Sequence, residues 1–287
     1  MKQLLGIDIG GTNIKIATVA PDDGTVIRRG LIETSASEGA ARAFKRIHAA
    51  ARSLGSDGID AVGIGCAGLF DERRGVLTAS PNLKEWEHAP LARIASRTFS
   101  VPILIQNDAS CAAYGEAAVR RARGRDLILI TLGTGVGGGI VMDGHLVRGA
   151  NGYGGEIGHI SVDPDGPLCR CGSRGCLEAF AGSYGIVRAA RAHGGPKGRL
   201  TAWDVTLAAR EGKLWAKAAI REAGTALGIA IGILLNTLNP SVIVLGGGGA
   251  GGFDLLEPHV RRALVRHAFR ETITAARIER ARLGNDD

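Results

Sequence analysis

The stretch LLGIDIGGTNIKIATV, residues 4–19, decides the fold because it has the pattern of two apolar strands joined by a Gly-Gly-Thr turn. A second stretch, LILITLGTGVGGGIVM at residues 127–142, repeats this order of strand, glycine-rich turn and strand. The recurrence predicts an internal duplication, in which two similar α/β domains each begin with a glycine-turn hairpin. The alternative is that any two hairpins with glycine turns resemble each other.

Strand-like and helical patterns alternate after both hairpins. The first hairpin is followed by a helical segment near residues 37–54 and by two short apolar strands, in GIDAVGIGCAG (58–68) and VPILIQND (101–108). The second hairpin is followed, further along the chain, by a long apolar helix at residues 212–236. A buried strand that runs into glycines, PSVIVLGGG at residues 240–248, comes next. Both halves are therefore predicted to be α/β.

The basic segment RRARGRD, residues 120–126, separates two apolar halves of the chain. We therefore expect a small N-terminal domain of residues 1–120 and a larger C-terminal domain of residues 121–287. With 287 residues and 45% hydrophobic composition, the chain is long enough for each domain to bury a core.

Charge and hydropathy bear on the compartment and the partners. We expect no membrane span, because the chain has no run of about 18 apolar residues, and no signal peptide at its N-terminus. Cytoplasmic localisation is therefore expected. The net charge of +7 comes from basic residues scattered over helical stretches without interleaved aromatic residues. This pattern is more typical of a solvated surface than of a nucleic-acid site, so no nucleic-acid or membrane partner is expected.

Three of the five cysteines lie close together in the stretch GHISVDPDGPLCRCGSRGCLE. A disulfide is disfavoured, because cytoplasmic thiols stay reduced and Cys169 and Cys171 are too close in sequence to bridge without strain. His159, Cys169, Cys171 and Cys176 supply the three thiolates and one imidazole that a closed, tetrahedral zinc site takes. The spacing predicts one structural Zn²⁺, with redox-active or merely buried thiols as the alternatives.

Two acidic residues, Glu156 and Glu178, flank this cysteine cluster. Closing a metal loop would draw them together, and a metal on one ring nitrogen of His159 would leave the other nitrogen as an N–H donor. Two carboxylates and one N–H group form a receptor for vicinal hydroxyl groups. The cluster therefore predicts a sugar ligand.

Polar residues at strand ends suggest phosphoryl transfer. Asp8 either caps its own turn or orients Mg²⁺, usually through water, beside nucleotide phosphates, and Thr12 could donate its hydroxyl group to a phosphate oxygen. The pair Asn107-Asp108 either caps the following helix or supplies a general base, Asp108, that accepts a hydroxyl proton. Glycine turns at strand ends in both halves would let backbone N–H groups approach the phosphates of a nucleotide.

The run GGEIGHISVDPDGPLCRCGSRGCLEAFAG, residues 154–182, closely resembles the ROK family (repressors, open reading frames, kinases), and within it the bacterial glucokinases. The match extends in order through the segments GIDIGGTNIK, SPNLKEW, QNDASCAAYGE, LGTGVGGGI and LNPSVIVLGGG, and thus covers nearly the whole chain.

The resemblance implies a two-domain α/β chain with the actin-like, ribonuclease H-like sugar-kinase fold, an interdomain cleft and a zinc-stabilised loop. It implies ATP- and Mg²⁺-dependent phosphorylation of D-glucose at the 6-hydroxyl group, with Asp108 as the base, in a homodimer or homotetramer. The positions that match the sugar contacts of the family are Asn82, Asn107, Asp108, Glu156, His159 and Glu178. Those that match the nucleotide contacts are Asp8, Gly10, Gly11, Thr12, Asn13, Thr134, Gly135, Gly137, Gly247 and Gly248. The zinc ligands of the family match His159, Cys169, Cys171 and Cys176.

Several functions within the resemblance stay open. The kinase could act on mannose or N-acetylglucosamine, or use polyphosphate as a glucomannokinase does, and a sugar-responsive non-catalytic regulator is the alternative from another class. ROK repressors carry an N-terminal helix-turn-helix, whereas this chain starts on its first strand, so we expect no DNA binding. Relatives continue beyond RLGNDD with a helix that returns to the N-terminal domain, and the last residues here could pack back on that domain.

Overall fold

The computed structural model describes residues 3–22, 24–56, 58–121 and 125–284. The chain divides into two compact units. The first unit comprises the described residues up to Gly115 together with Val147–Gly154, and the second comprises Glu116–Leu146 together with the described residues from Gly155 onwards. Residues 122–124 of the predicted boundary segment, and the last three residues of the chain, lie outside the described residues.

The first unit is built around a five-stranded sheet. The strands of this first sheet are β1 (Gln3–Ile9), β2 (Asn13–Val19), β3 (Val26–Glu33), β4 (Ile59–Cys66) and β7 (Ile103–Asn107), and a separate two-stranded sheet is formed by β5 (Leu69–Asp71) and β6 (Val76–Ala79). The order in the first sheet is β3-β2-β1-β4-β7, in which β2 is antiparallel to both β1 and β3, and β4 and β7 run parallel to β1. The helices are α1 (Ala40–Ser53), α2 (Leu91–Thr98) and the first part of α3 (Asp108–Arg120), whose residues from Glu116 onwards belong to the second unit.

Alternation of apolar side chains makes the first hairpin a half-buried part of the sheet, with one face toward the core. Leu5, Ile7 and Ile9 of β1 are all buried, as expected for side chains that point to one face every second residue. Helix α1 covers that face with Phe44 and Ile47, which lie three residues apart on one side of the helix and are fully buried. The core of the first unit thus follows from period two in the strands and period 3.6 in the helix.

The second unit repeats this plan. Its strands are β8 (Leu127–Leu132), β9 (Val136–Met142), β10 (His145–Leu146), β11 (Val242–Gly246) and β12 (Arg277–Arg280), in the order β10-β9-β8-β11-β12. The directions also match the first sheet: β8–β10 are antiparallel, and β11 and β12 run parallel to β8. The helices are α4 (Leu177–Ala181), α5 (Ser183–Ala192), α6 (Ala202–Arg210), α7 (Leu214–Leu238), α8 (Phe253–His267) and α9 (Arg270–Ala275). Identical strand order in both sheets is what the predicted duplication requires.

Helix α7 is the long apolar helix that the sequence predicts near residues 212–236. With 25 residues and a mean hydropathy of 1.6 over its most apolar window, it is long and apolar enough to cross a membrane by length and composition alone. That window is 67% buried inside the protein. Gly228 allows α8 to pack closely, since a Cβ there would lie 2.6 Å from the carbonyl oxygen of Val260. Burial of this kind is typical of the central helix of a globular core.

Candidate functional site

The glycine turn between β1 and β2 is held by main-chain and threonine hydrogen bonds. The N–H group of Gly10 donates to the carbonyl oxygen of Asn13 at 3.1 Å, and the Thr34 hydroxyl donates to that of Gly10 at 2.7 Å. A Cβ on Gly11 would lie 2.7 Å from the Cβ of Asn82, so only glycine permits this approach. The structure therefore brings the predicted nucleotide turn beside Asn82, a predicted sugar contact.

Asn107, and not Asp108, caps helix α3. The Oδ1 atom of Asn107 accepts the N–H group of Ser110 at 3.1 Å, and its Nδ2 atom donates to the carbonyl oxygen of Gly68 at 3.2 Å. Asp108 accepts the N–H group of Ala109 at 2.9 Å and keeps an exposed side-chain surface. Asn107 therefore takes the capping role, and the role of Asp108 as general base stays a prediction.

The carboxyl ends of β1, β4 and β7 bring Asp8 and Asp108 into one neighbourhood. In the sheet register Asp8 is paired with Gly65, and a Cβ on Gly65 would lie 3.5 Å from the Cα of Asp108. The role of Asp8 beside bound Mg²⁺ stays a prediction.

The pKa of the Asp108 carboxyl is raised, because the surrounding protein desolvates it more than its backbone hydrogen bonds compensate. Desolvation also raises the pKa of Asp8, and the negative charge of Asp108 adds to this shift while Lys15 opposes it. Burial raises the pKa of the Cys66 and Cys111 thiols to about 12, with the charge of Asp108 as a further cause. These two cysteines are therefore neutral at physiological pH, and the carboxylates are the ionisable groups of this region.

In the second unit, the glycine turns after β8 and β11 adjoin each other. Strands β8 and β11 are paired up to Thr131 and Gly246, so the turns that follow leave the same edge of the second sheet. Gly247 has φ +80, and a side chain there would overlap the backbone of Leu132. The predicted nucleotide contacts of this unit are accordingly clustered at one sheet edge.

The four predicted zinc ligands converge. The ligand atoms of His159, Cys169, Cys171 and Cys176, here named the Cys₃His group, all lie within 4.8 Å of one another. The sulfur atoms of Cys171 and Cys176 are 3.7 Å apart, close to the roughly 3.8 Å expected for two thiolates bound about 2.3 Å from one tetrahedral zinc ion. Three sulfur atoms and one imidazole fit a structural Zn²⁺ better than a disulfide, and Cys66, Cys111 and these three cysteines are all free thiols.

The two acids predicted to bind a sugar border this group. The Nδ1 atom of His159 faces the sulfur atom of Cys169 at 3.8 Å, while its Nε2 atom lies 3.9 Å from a carboxylate oxygen of Glu156. Glu178 accepts the N–H group of Val136 through Oε2 at 3.1 Å. A Cβ on Gly135 would overlap that same oxygen atom, so a side chain there would displace the Glu178 carboxylate. Closure of the loop thus collects the predicted sugar-binding groups of this unit.

Tyr184 is a functional candidate that no sequence motif indicates. The hydroxyl group of Tyr184 lies 3.4 Å from Oε1 of Glu178 and 3.5 Å from the sulfur atom of Cys169. Tyr184 lies at the second position of α5, outside every quoted motif, and its approach depends on the loop geometry between two helices. Sequence reasoning therefore missed it.

Comparison with known proteins agrees with this geometry. Residues 4–287 match the ROK family. A glucokinase from Thermotoga maritima is 33% identical over 279 residues, which cover 92% of this chain and 87% of that protein. A xylose repressor from Caldicellulosiruptor bescii is 31% identical over 79% of this chain, but only 59% of the repressor is covered.

Solved structures confirm the predicted fold class. A ROK hexokinase from Thermus thermophilus superposes with a TM-score of 0.86 at 32% identity, covering 99% of this chain and 94% of that one. A ROK family glucokinase from Streptomyces griseus, in complex with glucose and AMPPNP, gives a TM-score of 0.79 at 32% identity, covering 98% and 95%. The fold is the actin-like α/β fold of ROK sugar kinases, with a Cys₃His group that could hold zinc.

Proposed function

Because the chain belongs to the ROK family and is a sugar kinase, a transferase, we propose that it transfers the γ-phosphoryl group of ATP to the 6-hydroxyl group of D-glucose. The observation that carries the proposal is the state of Asp108, an accessible carboxylate with a raised pKa that is not used to cap its helix. The glucokinases among its relatives support glucose as the substrate.

In this reaction Asp108 acts as the general base. Its carboxylate accepts the proton of the glucose 6-hydroxyl group while that oxygen atom forms a bond to the γ-phosphorus and the bond to the β-γ bridging oxygen breaks. The products are glucose 6-phosphate and ADP, and Asp108 then releases its proton to water. A raised pKa suits this role, because a base with a pKa nearer to neutrality accepts a proton more readily.

Sugar binding is assigned to side chains that form hydrogen bonds with the hydroxyl groups of the sugar. Glu156 and Glu178 accept hydrogen bonds from sugar hydroxyl groups, and the outward ring nitrogen of His159 donates one. Asn82 and Asn107 complete the set through their amide groups, although Asn107 already binds Gly68 and Ser110. These roles are carried over from the family motif.

Nucleotide binding is assigned to the glycine turns. Their backbone N–H groups would contact phosphate oxygens where no Cβ intervenes. The residues are Asp8, Gly10, Gly11, Thr12 and Asn13 in the first unit, and Thr134, Gly135, Gly137, Gly247 and Gly248 in the second. When bound near Asp8, Mg²⁺ would neutralise charge on the transferred phosphoryl group. Zn²⁺ on the Cys₃His group would hold the loop that carries Glu156, His159 and Glu178.

We further propose that the protein works in the cytoplasm as a homodimer or homotetramer, with small molecules as its ligands and neither nucleic acid nor membrane as a partner. A reducing compartment keeps thiols available for zinc, which supports the localisation. A sugar-responsive regulator is the second candidate, because xylose repressors are also related to the chain.

A substrate panel tests the proposal. Purified protein is assayed with glucose, mannose and N-acetylglucosamine, each with Mg²⁺ and either ATP or polyphosphate. The largest kcat/KM is expected for glucose with ATP. Preference for another hexose or for polyphosphate would replace the substrate assignment, and binding of sugar without any turnover would favour the regulator.

A further inference from the structure

We propose that Tyr184 is a positioning residue for sugar binding: its hydroxyl group joins the Cys₃His group to Glu178 and fixes the orientation of that carboxylate. The inference rests on the proposed function, because it takes Glu178 as a sugar contact. It concerns a residue that none of the motifs in the sequence includes.

The first argument is that the two oxygen atoms of the Glu178 carboxylate have different partners. Its Oε2 atom is held by the backbone N–H group of Val136 at 3.1 Å, and its Oε1 atom lies 3.4 Å from the Tyr184 hydroxyl oxygen. A carboxylate held at one oxygen atom can still rotate about its terminal torsion, whose energy profile is broad. A second donor at the other oxygen atom removes that freedom.

The second argument is electrostatic. The sulfur atom of Cys169 lies 3.9 Å from Oε1 of Glu178, so a metal-bound thiolate would place two negative groups side by side. Between them lies the Tyr184 hydroxyl group, 3.5 Å from the sulfur atom. A phenol ordinarily keeps its proton up to a pH of about 10, so it can donate to either anion at neutral pH. The hydroxyl group therefore offsets a repulsion that would otherwise turn Glu178 away.

The third argument is that the tyrosine ring is itself held. The guanidinium group of Arg170 lies 4.2 Å from the ring centroid, in the geometry of a cation–π contact. The neighbouring Ser183 anchors the start of α5, since its N–H and hydroxyl groups both donate to the carbonyl oxygen of Gly133, at 3.0 and 2.7 Å. A fixed ring on a fixed helix start can transmit position, which a mobile side chain could not.

The test compares Tyr184→Phe with Tyr114→Phe. The first change removes only the hydroxyl group and keeps the ring under Arg170, and the second removes the hydroxyl group of an exposed tyrosine on α3. For Tyr184→Phe we expect the KM for the hexose to rise about tenfold, as loss of a hydrogen bond to a charged group predicts. The kcat should stay within about twofold and the protein should keep one zinc ion per chain. Tyr114→Phe should match the wild type in all three quantities.

Calorimetric hexose affinity and zinc content accompany the kinetics, with the hexose that the wild-type enzyme phosphorylates best in the substrate panel. A KM within twofold of the wild type would overturn the inference, and so would a KM change that appears only with zinc loss. If the wild type phosphorylates none of the hexoses, the proposed function fails on its own. A crystal structure of Tyr184→Phe then decides the inference, which requires a displaced Glu178 carboxylate and is overturned by an unmoved one.

Discussion

The two five-stranded sheets share strand order and direction, but their carboxyl edges carry different chemistry. In the first sheet Asp8 is paired with Gly65 at the end of β1, and in the second sheet Thr131 is paired with Gly246 at the corresponding place on β8. Both edges continue into glycine turns, but the first also carries two carboxylates, Asp8 and Asp108, at its strand ends. The duplicated frame thus fixes where strands end, while the residues at those ends set which charges lie there.

The last strands of the two sheets differ in the same way. Strand β7 leads into helix α3, whose first residue is Asp108. After strand β12, the backbone N–H groups of Arg282 and Leu283 donate to Oε1 of the buried Glu116 at 2.8 and 2.7 Å. Glu116 also pairs with the buried Arg120, which donates to the carbonyl oxygen of Arg280. Asp108 thus lies at one strand end, where we propose that it acts as the base, whereas the buried Glu116 holds another strand end in place.

The largest effect is expected from Asp108→Asn, which tests whether the first sheet edge supplies the general base. The amide cannot accept the hydroxyl proton, so kcat should fall by about 10²–10⁴ with a small change in glucose affinity. Asp60→Asn, near the start of β4 at the opposite end of the first sheet, is the matched control and should leave kcat unchanged. Steady-state kinetics decide the matter, and near-normal turnover of Asp108→Asn would exclude the residue as base.

The next effect concerns stability at the second sheet. Glu116→Gln removes one charge of a pair whose side chains are 2% and 1% exposed, and should lower the free energy of unfolding by about 3–5 kcal/mol. Glu257→Gln removes the same charge from an i,i+4 pair with Arg261 whose side chains are 37% and 66% exposed, and should cost less than about 1 kcal/mol. Urea unfolding of both variants gives the comparison. Equal losses would show that burial of Glu116 contributes nothing.

Loss of the metal should weaken the binding of glucose more than the binding of ATP. In Cys171→Ser the zinc content is expected to fall from one ion per chain to none, and the KM for glucose to rise about tenfold because the loop with Glu156 and Glu178 loses its closure. The affinity for ATP should change less. Elemental analysis and kinetics measure these outcomes, and wild-type protein that has been stripped by a chelator and then reloaded with zinc is the control. Wild-type protein without zinc would contradict the metal assignment.

A substitution in the glycine turn after β8 tests whether a side chain at that turn disturbs glucose binding. A Cβ on Gly135 would overlap the Glu178 carboxylate, whereas a Cβ on Gly198 would meet nothing within 4 Å. Gly135→Ala should therefore lower kcat/KM for glucose by about tenfold, an amount equal to roughly 1.4 kcal/mol. Gly198→Ala should have the wild-type value. Indistinguishable kinetics for the two variants would mean that the turn tolerates a side chain.

The smallest effect is a pH-dependent gain in stability. The pKa of Asp108 is higher in the folded protein than its ordinary value of 3.8, so the protonated form is favoured by folding. That stabilisation is complete below pH 3.8 and is lost as the pH rises through the folded pKa. Asp108→Asn, which cannot ionise, should thus melt slightly higher than the wild type at pH 7 and lose this advantage near pH 3. A constant difference across this range, measured by thermal melts, would contradict the linkage.

Local patterns account for what the sequence predicted. The hairpins and the strand-to-helix junction at Asn107 depend on residues close in the chain. The spacing of the zinc ligands was equally informative. The three cysteines and the histidine lie so close together in the chain that they can converge on one metal ion without contacts from distant segments.

Contacts between distant residues account for what was missed. Glu116 binds backbone groups 166 and 167 residues away, and no periodicity encodes such a pairing. Tyr184 lies only six residues from Glu178, but its approach depends on the turn at Gly182 between α4 and α5, which no motif marks.

The bond from Val136 to Glu178 ties a proposed hexose contact to the peptide that follows a proposed phosphate loop. If both assignments hold, a movement of that loop when the nucleotide binds would be passed to the Glu178 carboxylate through the N–H group of Val136. Linkage then requires that each substrate alter the affinity for the other by the same factor. The enzyme would sense whether its second substrate is present before any phosphoryl group moves.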